Sequence, residues 1–158
     1  MLYVKEPGGQ YLPATEHIIL EEARRVSRRR FERGVKITST DEAREAVRHL
    51  LGHHQSEVFC CLFVDAKHRV LEWVEMFKGS VAKASVHPRE VVKEALRLNA
   101  AGVIFCHNHP SGDNTPSADD IYLTKTLRKI LAVIDVKVLD HLIIGEQIAS
   151  MAEAGHLA

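Results

Sequence analysis

Two histidines, two positions apart, follow an apolar run near the middle of the chain. The run ends at Cys106, and His107 and His109 come directly after it. Side chains at positions i and i+2 of a strand share a face, so the two imidazoles can converge on one point. Ser117 and Asp120 follow at the predicted start of a helix, which can bring this carboxylate to the same point. Two neutral imidazoles and a carboxylate suit a catalytic zinc ion that keeps an open position for water.

Each of these residues also has a purely structural interpretation. His107 and His109 could be polar residues that close a strand, and residues 110–116 include several turn formers. Ser117 followed by Asp120 fits a helix N-terminus, in which a hydroxyl precedes an acid by three residues. For any one of these residues taken alone, the structural interpretation is the better one. The cluster favours a metal site, because several ligands together indicate a metal better than one does.

Hydrolysis at such a site needs a base as well as a metal. Bound zinc lowers the pKa of its water to roughly 7, and a general base then carries the proton to the leaving group. Side chains alternate between the two faces of the predicted strand 70–78. One face carries Leu71, Trp73, Glu75 and Phe77. Glu75 is therefore predicted to lie within an apolar face, where an unpaired carboxylate is costly. It is the candidate general base, and Ser117 is the candidate hydrogen-bond donor to the developing oxyanion.

Two alternatives to this choice of base stay open at the sequence level. Glu75 could be an edge residue that reaches solvent or an arginine, since buried carboxylates are rare unless they are paired. Glu72 lies only three residues earlier and could replace it. Glu72 shares its predicted face with Lys78, however, which is more typical of a surface residue.

The elements that position these residues follow from hydrophobic periodicity and capping signals. Helices are predicted over about residues 15–31, 40–51, 87–99 and 117–131, with a small final helix near 151–154. Strands are predicted over 58–64, 70–78, 101–106 and 136–144, with a short strand after Gly145. Residues 1–14 are predicted to be an extended or poorly ordered lead-in. This order predicts a mixed α/β layer fold in which helices pack on a sheet.

Composition narrows the class of protein without naming a partner. The chain has 158 residues, of which 46% are apolar, and this suits one domain with a real core. Its 21 basic and 21 acidic residues balance, so overall charge argues neither for nor against nucleic acid. The 3 cysteines lie inside apolar runs, which favours buried free thiols in a reducing cytoplasm. With no secretory leader pattern and no apolar stretch of roughly 20 residues, we expect a cytoplasmic protein without a membrane span.

The central motif resembles that of a known superfamily. His-x-His, seven residues, Ser, two residues, Asp is similar to the JAMM signature of the MPN metalloproteases, and His107, His109, Ser117 and Asp120 match every interval. The surrounding segments resemble the bacterial RadC family more closely. The segments that carry this resemblance are 86–91, 107–112, 116–117 and 139–141. The resemblance covers about residues 35–155, which is most of the chain.

The resemblance implies a three-layer α-β-α fold of the JAMM/MPN type, related to the cytidine-deaminase architecture, with a mixed sheet and flanking helices. It implies a domain over residues 35–158, preceded by a lead-in and a basic helix over 1–34. The implied zinc ligands are His107, His109 and Asp120, and Ser117 corresponds to the oxyanion-side serine. The resemblance matches Glu75 to the family's catalytic glutamate, with Glu72 as the alternative. The implied activity is zinc-dependent amide hydrolysis of the metallopeptidase or isopeptidase type, with a peptide or protein substrate.

Asn108 departs from the small hydroxyl residue that is usual between the histidines of the wider superfamily. In the RadC-like context this departure suggests that the substrate need not be a ubiquitin-type isopeptide. His141 follows an acid and could orient a metal ligand, although a hydrogen-bonded sheet residue is the favoured interpretation.

Two other functions remain open: a DNA-associated accessory module of the RadC type, and a non-catalytic interaction domain. The first would rest on the arginines of the predicted first helix, namely Arg24, Arg25, Arg28, Arg29, Arg30 and Arg33. Glu21, Glu22 and Glu32 balance them, so a solvated helix face is the favoured interpretation. The complete ligand set argues against the second, because an inactive scaffold has no need for all three ligands. Sequence does not indicate an oligomeric state.

Overall fold

The computed structural model describes residues 1–79 and 86–158. The strands are β1 (Tyr3–Lys5), β2 (Tyr11–Pro13), β3 (Glu57–Val64), β4 (Val70–Gly79), β5 (Gly102–Asn108), β6 (Lys137–Ile144) and β7 (Ile148–Ser150). The helices are α1 (Glu16–Arg29), α2 (Thr40–Leu51), α3 (Pro88–Arg97) and α4 (Ala118–Val133). Among the described residues, no helix combines the length and the apolar character needed to cross a membrane.

Strands β3 to β7 form a five-stranded mixed sheet in the order β4-β3-β5-β6-β7. Strand β3 runs antiparallel to both of its neighbours, β5 runs parallel to β6, and β7 returns antiparallel to β6. Parallel neighbours need a crossover connection, and α4 supplies it between β5 and β6. The first turn of α4 therefore starts close to the end of β5.

Helices cover both faces of this sheet, and two hydrophobic clusters fill the space beneath them. On what we call the α2 face, α2 packs against alternate sheet residues that include Val58, Cys60, Leu62 and Cys106. On the α4 face, α3 and α4 pack against Phe59, Phe63 and Phe105. Cover on both sides explains why residues 58–64 are apolar without interruption and fully buried. The predicted three-layer α-β-α architecture is confirmed.

The first two helices begin at hydroxyl side chains, as the capping signals at Thr15 and at Ser39 or Thr40 predict. Thr15 accepts a hydrogen bond from the backbone N–H of Ile18 at the start of α1, and Ser39 accepts one from Glu42 at the start of α2. Each hydroxyl satisfies one of the N–H groups that a helix terminus leaves without an intrahelical partner.

The two ends of the chain differ from expectation. Residues 1–14 were expected to be a lead-in, but β1 and β2 pair as an antiparallel hairpin. The hairpin turn uses Gly9, which has a φ of 84° and donates its N–H to the carbonyl of Glu6 at 2.8 Å. Residues 151–157 form a series of turns where a small helix was expected, although the short strand before them, β7, is present.

Candidate metal centre

The predicted ligands converge where β5 ends and α4 begins. His107 and Asp120 are almost fully buried, with 0% and 3% of their surfaces exposed. The Nε2 atom of His107 lies 3.2 Å from Asp120 Oδ1, and the Nε2 atom of His109 lies 3.3 Å from Asp120 Oδ2. The two Nε2 atoms are 2.8 Å apart. These ligand atoms all lie within 4.8 Å of one another, so the three side chains could hold a metal ion.

Asp120 is fixed by the helix that carries it. Ser117 is the N-cap of α4, and its Oγ accepts a hydrogen bond from the N–H of Asp120 at 3.0 Å. The Asp120 carboxylate in turn accepts the N–H of Ser117 at 2.7 Å, which completes a capping box. The cap interpretation of Ser117 is therefore confirmed. The same geometry leaves the rest of the Asp120 carboxylate facing the two histidines.

His109 is held by the loop that follows it. Its Nδ1 lies 2.7 Å from the carbonyl oxygen of Asp113. A carbonyl only accepts, so Nδ1 must carry the hydrogen, and the neutral ring keeps its lone pair on Nε2. That nitrogen faces Asp120. A histidine that binds a metal needs this state, with a free lone pair on the nitrogen that faces the ion.

The electrostatics at this point favour a cation. Burial raises the pKa of Asp120, but the adjacent imidazoles of His107 and His109 outweigh burial and hold that pKa well below its usual range. The Asp120 carboxylate is also the main cause of the raised pKa of His109. An ionised carboxylate beside two convergent imidazole nitrogens fits a divalent metal ion by donor chemistry as well as by geometry.

An open cleft of about 280 Å³ lies directly over this group. The residues that line it are Glu57, His109, Pro110, Ser111, Ser117, Asp119 and Asp120. Glu57 brings a second carboxylate to the cleft, and its charge adds to that of Asp120 in raising the pKa of His109. A substrate that enters the cleft would meet both this carboxylate and members of the ligand group.

Glu57 reaches the cleft because β3 and β5 are antiparallel. Phe59 pairs with His107, so the start of β3 lies beside the end of β5. Positions 57 and 59 share a face of their strand, and Phe59 belongs to the α4 face, on which His107 also lies. Sequence reasoning missed Glu57. The only signal in the sequence was an acid immediately before a continuous apolar strand. This signal points to the site only when it is known that β3 lies beside β5.

Asn108 ties the same region together from the α2 face. Its Oδ1 accepts the N–H of Val58 at 2.7 Å, and its Nδ2 donates to the carbonyl of Ser56 at 3.0 Å. These are the backbone groups on either side of Glu57. The amide between the two histidines therefore clamps the first residues of β3 to the end of β5.

Glu75 is not brought to the site. It is exposed on β4, and it pairs with Cys60, whose side chain lies on the α2 face. His107 pairs with Phe59 and lies on the opposite face, with β3 between it and β4. The expectation that Glu75 sits within an apolar face is wrong, because an irregularity between Phe59 and Cys60 interrupts the alternation on β4. The role of general base for Glu75 has no geometric support.

Glu72, the alternative, is not at the site either. It forms an ion pair with Arg97 of α3 and does not line the cleft. Arg97 also pairs with Glu94 of its own helix. Glu72 is thus part of a partly exposed charge network between β4 and α3.

The fold and the site define a class: a three-layer α/β domain with a His-His-Asp group at the end of a central strand. Residues 37–156 match the family model described as RadC-like JAB domain. The chain belongs to this family, as its motif predicted.

Relatives agree with this assignment. A UPF0758 protein of Vibrio cholerae serotype O1 is 46% identical over 144 residues, which is 91% of each chain. A second UPF0758 protein of the same organism is 49% identical over 142 residues, or 90% of each chain. A UPF0758 protein of Ralstonia pickettii is 46% identical over 129 residues, which is 82% of this chain and 58% of that protein. These names state no reaction, so the similarity carries the family and not an activity.

Proposed function

We propose that the protein is a zinc-dependent hydrolase that cleaves amide bonds of the peptide or isopeptide type. The observation that carries this proposal is one cleft that combines a buried His-His-Asp group with the carboxylate of Glu57. The three ligands would be His107, His109 and Asp120. Three protein ligands leave a coordination position for water, which is typical of catalytic zinc sites and not of structural ones.

Bound zinc would supply an activated water and polarise the substrate carbonyl. The protein supplies the proton transfers. Glu57 is the candidate general base: it lines the same cleft as His109 and Asp120 and could take the proton of the attacking water. The same carboxyl group could then protonate the amine that leaves. Glu57 thereby takes the role that sequence analysis had given to Glu75.

Ser117 could stabilise the oxyanion while it caps α4. The cap uses a lone pair of Oγ, because the donor is the N–H of Asp120. The hydrogen of the hydroxyl is therefore not consumed by the cap and can point into the cleft that Ser117 lines. A fixed hydroxyl donor beside the ligand group would stabilise negative charge that develops on an attacked carbonyl.

The arginines of α1 give little support to a DNA-associated function. Arg24 and Arg25 form ion pairs with Glu21 and Glu22 of the same helix. Arg30 pairs with Glu42 of α2. These carboxylates offset part of the positive potential on which non-specific DNA binding depends. The buried free thiols of Cys60, Cys61 and Cys106 suit a reducing compartment, and we propose that the protein acts in the cytoplasm.

The test compares two glutamate variants in the zinc-loaded protein. A mass-spectrometric peptide library and a set of lysine-linked isopeptide conjugates serve to find a substrate. With that substrate, Glu57→Gln should lower kcat by about 10²–10⁴, the usual contribution of a general base, and keep its zinc. Glu75→Gln is the matched control and should retain wild-type kcat.

Equal turnover by Glu57→Gln and wild type would remove Glu57 from the mechanism. Absence of cleavage by the zinc-loaded wild type across both substrate sets would contradict the hydrolase itself.

A further inference from the structure

A buried chain of hydrogen bonds runs from His107 into the protein interior. The Nδ1 of His107 lies 2.7 Å from Nε2 of His141, and the Nδ1 of His141 lies 2.6 Å from the hydroxyl of Thr124. That hydroxyl donates to the backbone carbonyl of Asp120 at 2.6 Å. His107, His141 and Thr124 are all 0% exposed. Three residues from β5, β6 and α4 thus form one continuous network behind the metal centre.

The last member of the chain determines where every hydrogen lies. A carbonyl oxygen can only accept, so the single hydrogen of the Thr124 hydroxyl points to Asp120. The Thr124 oxygen must then accept from Nδ1–H of His141. A neutral imidazole has one N–H, so Nε2 of His141 accepts in turn from Nδ1–H of His107. The Nε2 of His107 is left with a lone pair, and this is the atom that faces Asp120.

If every hydrogen bond in this network ran in the opposite direction, His107 could not bind a metal through Nε2. If the Thr124 hydroxyl donated to His141, then His141 would donate from Nε2 to Nδ1 of His107. His107 would carry its hydrogen on Nε2, which is the position that a metal needs. The position of the Asp120 carbonyl selects against this order, because its oxygen lies 2.6 Å from the Thr124 oxygen and two acceptors so close need a hydrogen between them.

We propose that Thr124 and His141 are positioning residues that hold His107 in the one tautomer able to bind the metal. This inference rests on the proposed metal site and goes beyond it, since neither residue touches the ion or the cleft. Such outer hydrogen bonds fix the ring orientation and raise the basicity of a histidine ligand. The carboxylate ligand and this relay are coupled, because Asp120 provides both the ligand oxygen and the terminal carbonyl.

The surroundings of His141 keep its ring in place. Phe59 and Phe105 each meet it edge-on, with ring centroids 5.7 Å from its own. Its backbone carbonyl accepts the N–H of Met151 at 3.0 Å, and its backbone N–H donates to Asp140 at 2.7 Å. Among the described residues, the hydrogen-bond partners of the ring are His107 and Thr124 and not a carboxylate, which suits a neutral imidazole. The favoured sequence interpretation, a hydrogen-bonded sheet residue, was therefore incomplete.

The experiment measures zinc affinity and histidine tautomer, and it needs no substrate. Zinc is titrated into the full chain against a chromogenic chelator, for wild type, Thr124→Val and Thr124→Ser. Valine keeps the shape of threonine and removes the hydroxyl, whereas serine keeps the hydroxyl. Loss of such an outer partner should weaken zinc binding of Thr124→Val by about 10–100-fold, and Thr124→Ser should stay within roughly threefold of wild type. Thermal unfolding confirms that each variant is folded.

The tautomer is read directly by ¹⁵N NMR of the histidine side chains in wild type. The relay predicts that His141 carries its hydrogen on Nδ1 and has a bare Nε2. Wild-type zinc affinity in Thr124→Val, or a hydrogen on Nε2 of His141, would overturn the inference. Failure of the proposed activity looks different: the zinc and NMR results would stand, and the wild type would cleave no substrate.

Discussion

Cys106 and His107 are neighbours on β5, and both are fully buried, yet they belong to opposite faces of the sheet. Cys106 lies on the α2 face among apolar side chains, and burial raises the pKa of its thiol. His107 lies on the α4 face, where each ring nitrogen has a polar neighbour within 3.2 Å. Its Nδ1 is hydrogen-bonded to His141, whereas the lone pair of its Nε2 faces the other two members of the His-His-Asp group, where a cation would satisfy it. The comparison teaches that the sheet places its candidate metal ligands on one face and an apolar layer on the other.

The helices repeat this contrast. Helices α2 and α4 both start with a serine cap, Ser39 and Ser117. The first turn of α2 carries Asp41 and Glu42, which are exposed. The first turn of α4 carries the buried Asp120. The same serine cap thus starts a surface helix at α2, whereas at α4 it also positions a candidate metal ligand.

The largest expected effect concerns the thiols. Burial raises the pKa of Cys60, Cys61 and Cys106, and the charge of Glu75 adds to this for Cys60. Because the thiolate is the reactive form, these groups should stay unreactive from pH 7 to pH 9 while the protein is folded. Ellman's reagent should react roughly 10³–10⁶-fold more slowly with native than with denatured protein, as the unfolded fraction limits access.

Rapid reaction of any thiol in the native protein would break the contrast between a chemical face and an inert one. Denatured protein serves as the control, and all 3 of its thiols should react with the reagent.

A second prediction uses two core leucines, one on each face. Leu62 and Leu127 are each at most 1% exposed, and truncation of either to alanine should cost about 2–5 kcal/mol of unfolding free energy. Leu127 lies one turn beyond Thr124 on α4, so Leu127→Ala should also weaken zinc binding. Leu62→Ala supports the other face and should bind zinc as wild type does. Chemical denaturation and zinc titration measure the two effects, and equal zinc losses would show that the faces are not independent.

The smallest effect separates the two caps. Loss of a serine N-cap typically costs about 0.5–2 kcal/mol, so Ser39→Ala and Ser117→Ala should lower stability to a similar degree. Only Ser117→Ala should also lower kcat, because only Ser117 lines the cleft. Thermal unfolding and turnover of the same two variants decide the matter. A Ser117→Ala enzyme with unchanged kcat would leave Ser117 as a cap alone.

Local patterns were sufficient to predict that the two histidines and the aspartate lie together, and to predict the layer architecture. His107, His109 and Asp120 lie within one strand end and one helix start, so their grouping depends on short-range geometry that a sequence determines. The two alternating faces and the helix caps have the same local origin. The caps at Thr15 and Ser39 are examples.

The general base could not be predicted in the same way. Strict alternation put Glu75 and Phe77 on one face, but the irregular pairing places Phe77 opposite Phe59 and Glu75 opposite Cys60, on different faces. A shift of one residue exchanges the two faces of a strand. Glu57 depends on which strands are neighbours, and a single sequence does not reveal that.

Pattern reasoning reached only part of the hydrogen-bond relay: it raised His141 as a residue that could orient a ligand, but it did not find Thr124 or the link to His107. Thr124 and His141 come together only after the α4 crossover has formed, and neither stands out by its spacing from the motif. At the N-terminus, β1 and β2 have only 3 residues each, too few for alternation to distinguish a hairpin from an extended lead-in.

The most direct test of the central claim is the metal content of purified protein by elemental analysis, for wild type, Asp120→Ala and Asp119→Ala. Asp119 is the matched control, since it lies in the same helical turn and lines the same cleft but is exposed. We expect about one zinc per chain in wild type and in Asp119→Ala, and a strong loss in folded Asp120→Ala. Wild type that stays empty after zinc is supplied, or an Asp120→Ala variant that keeps its metal, would contradict the account.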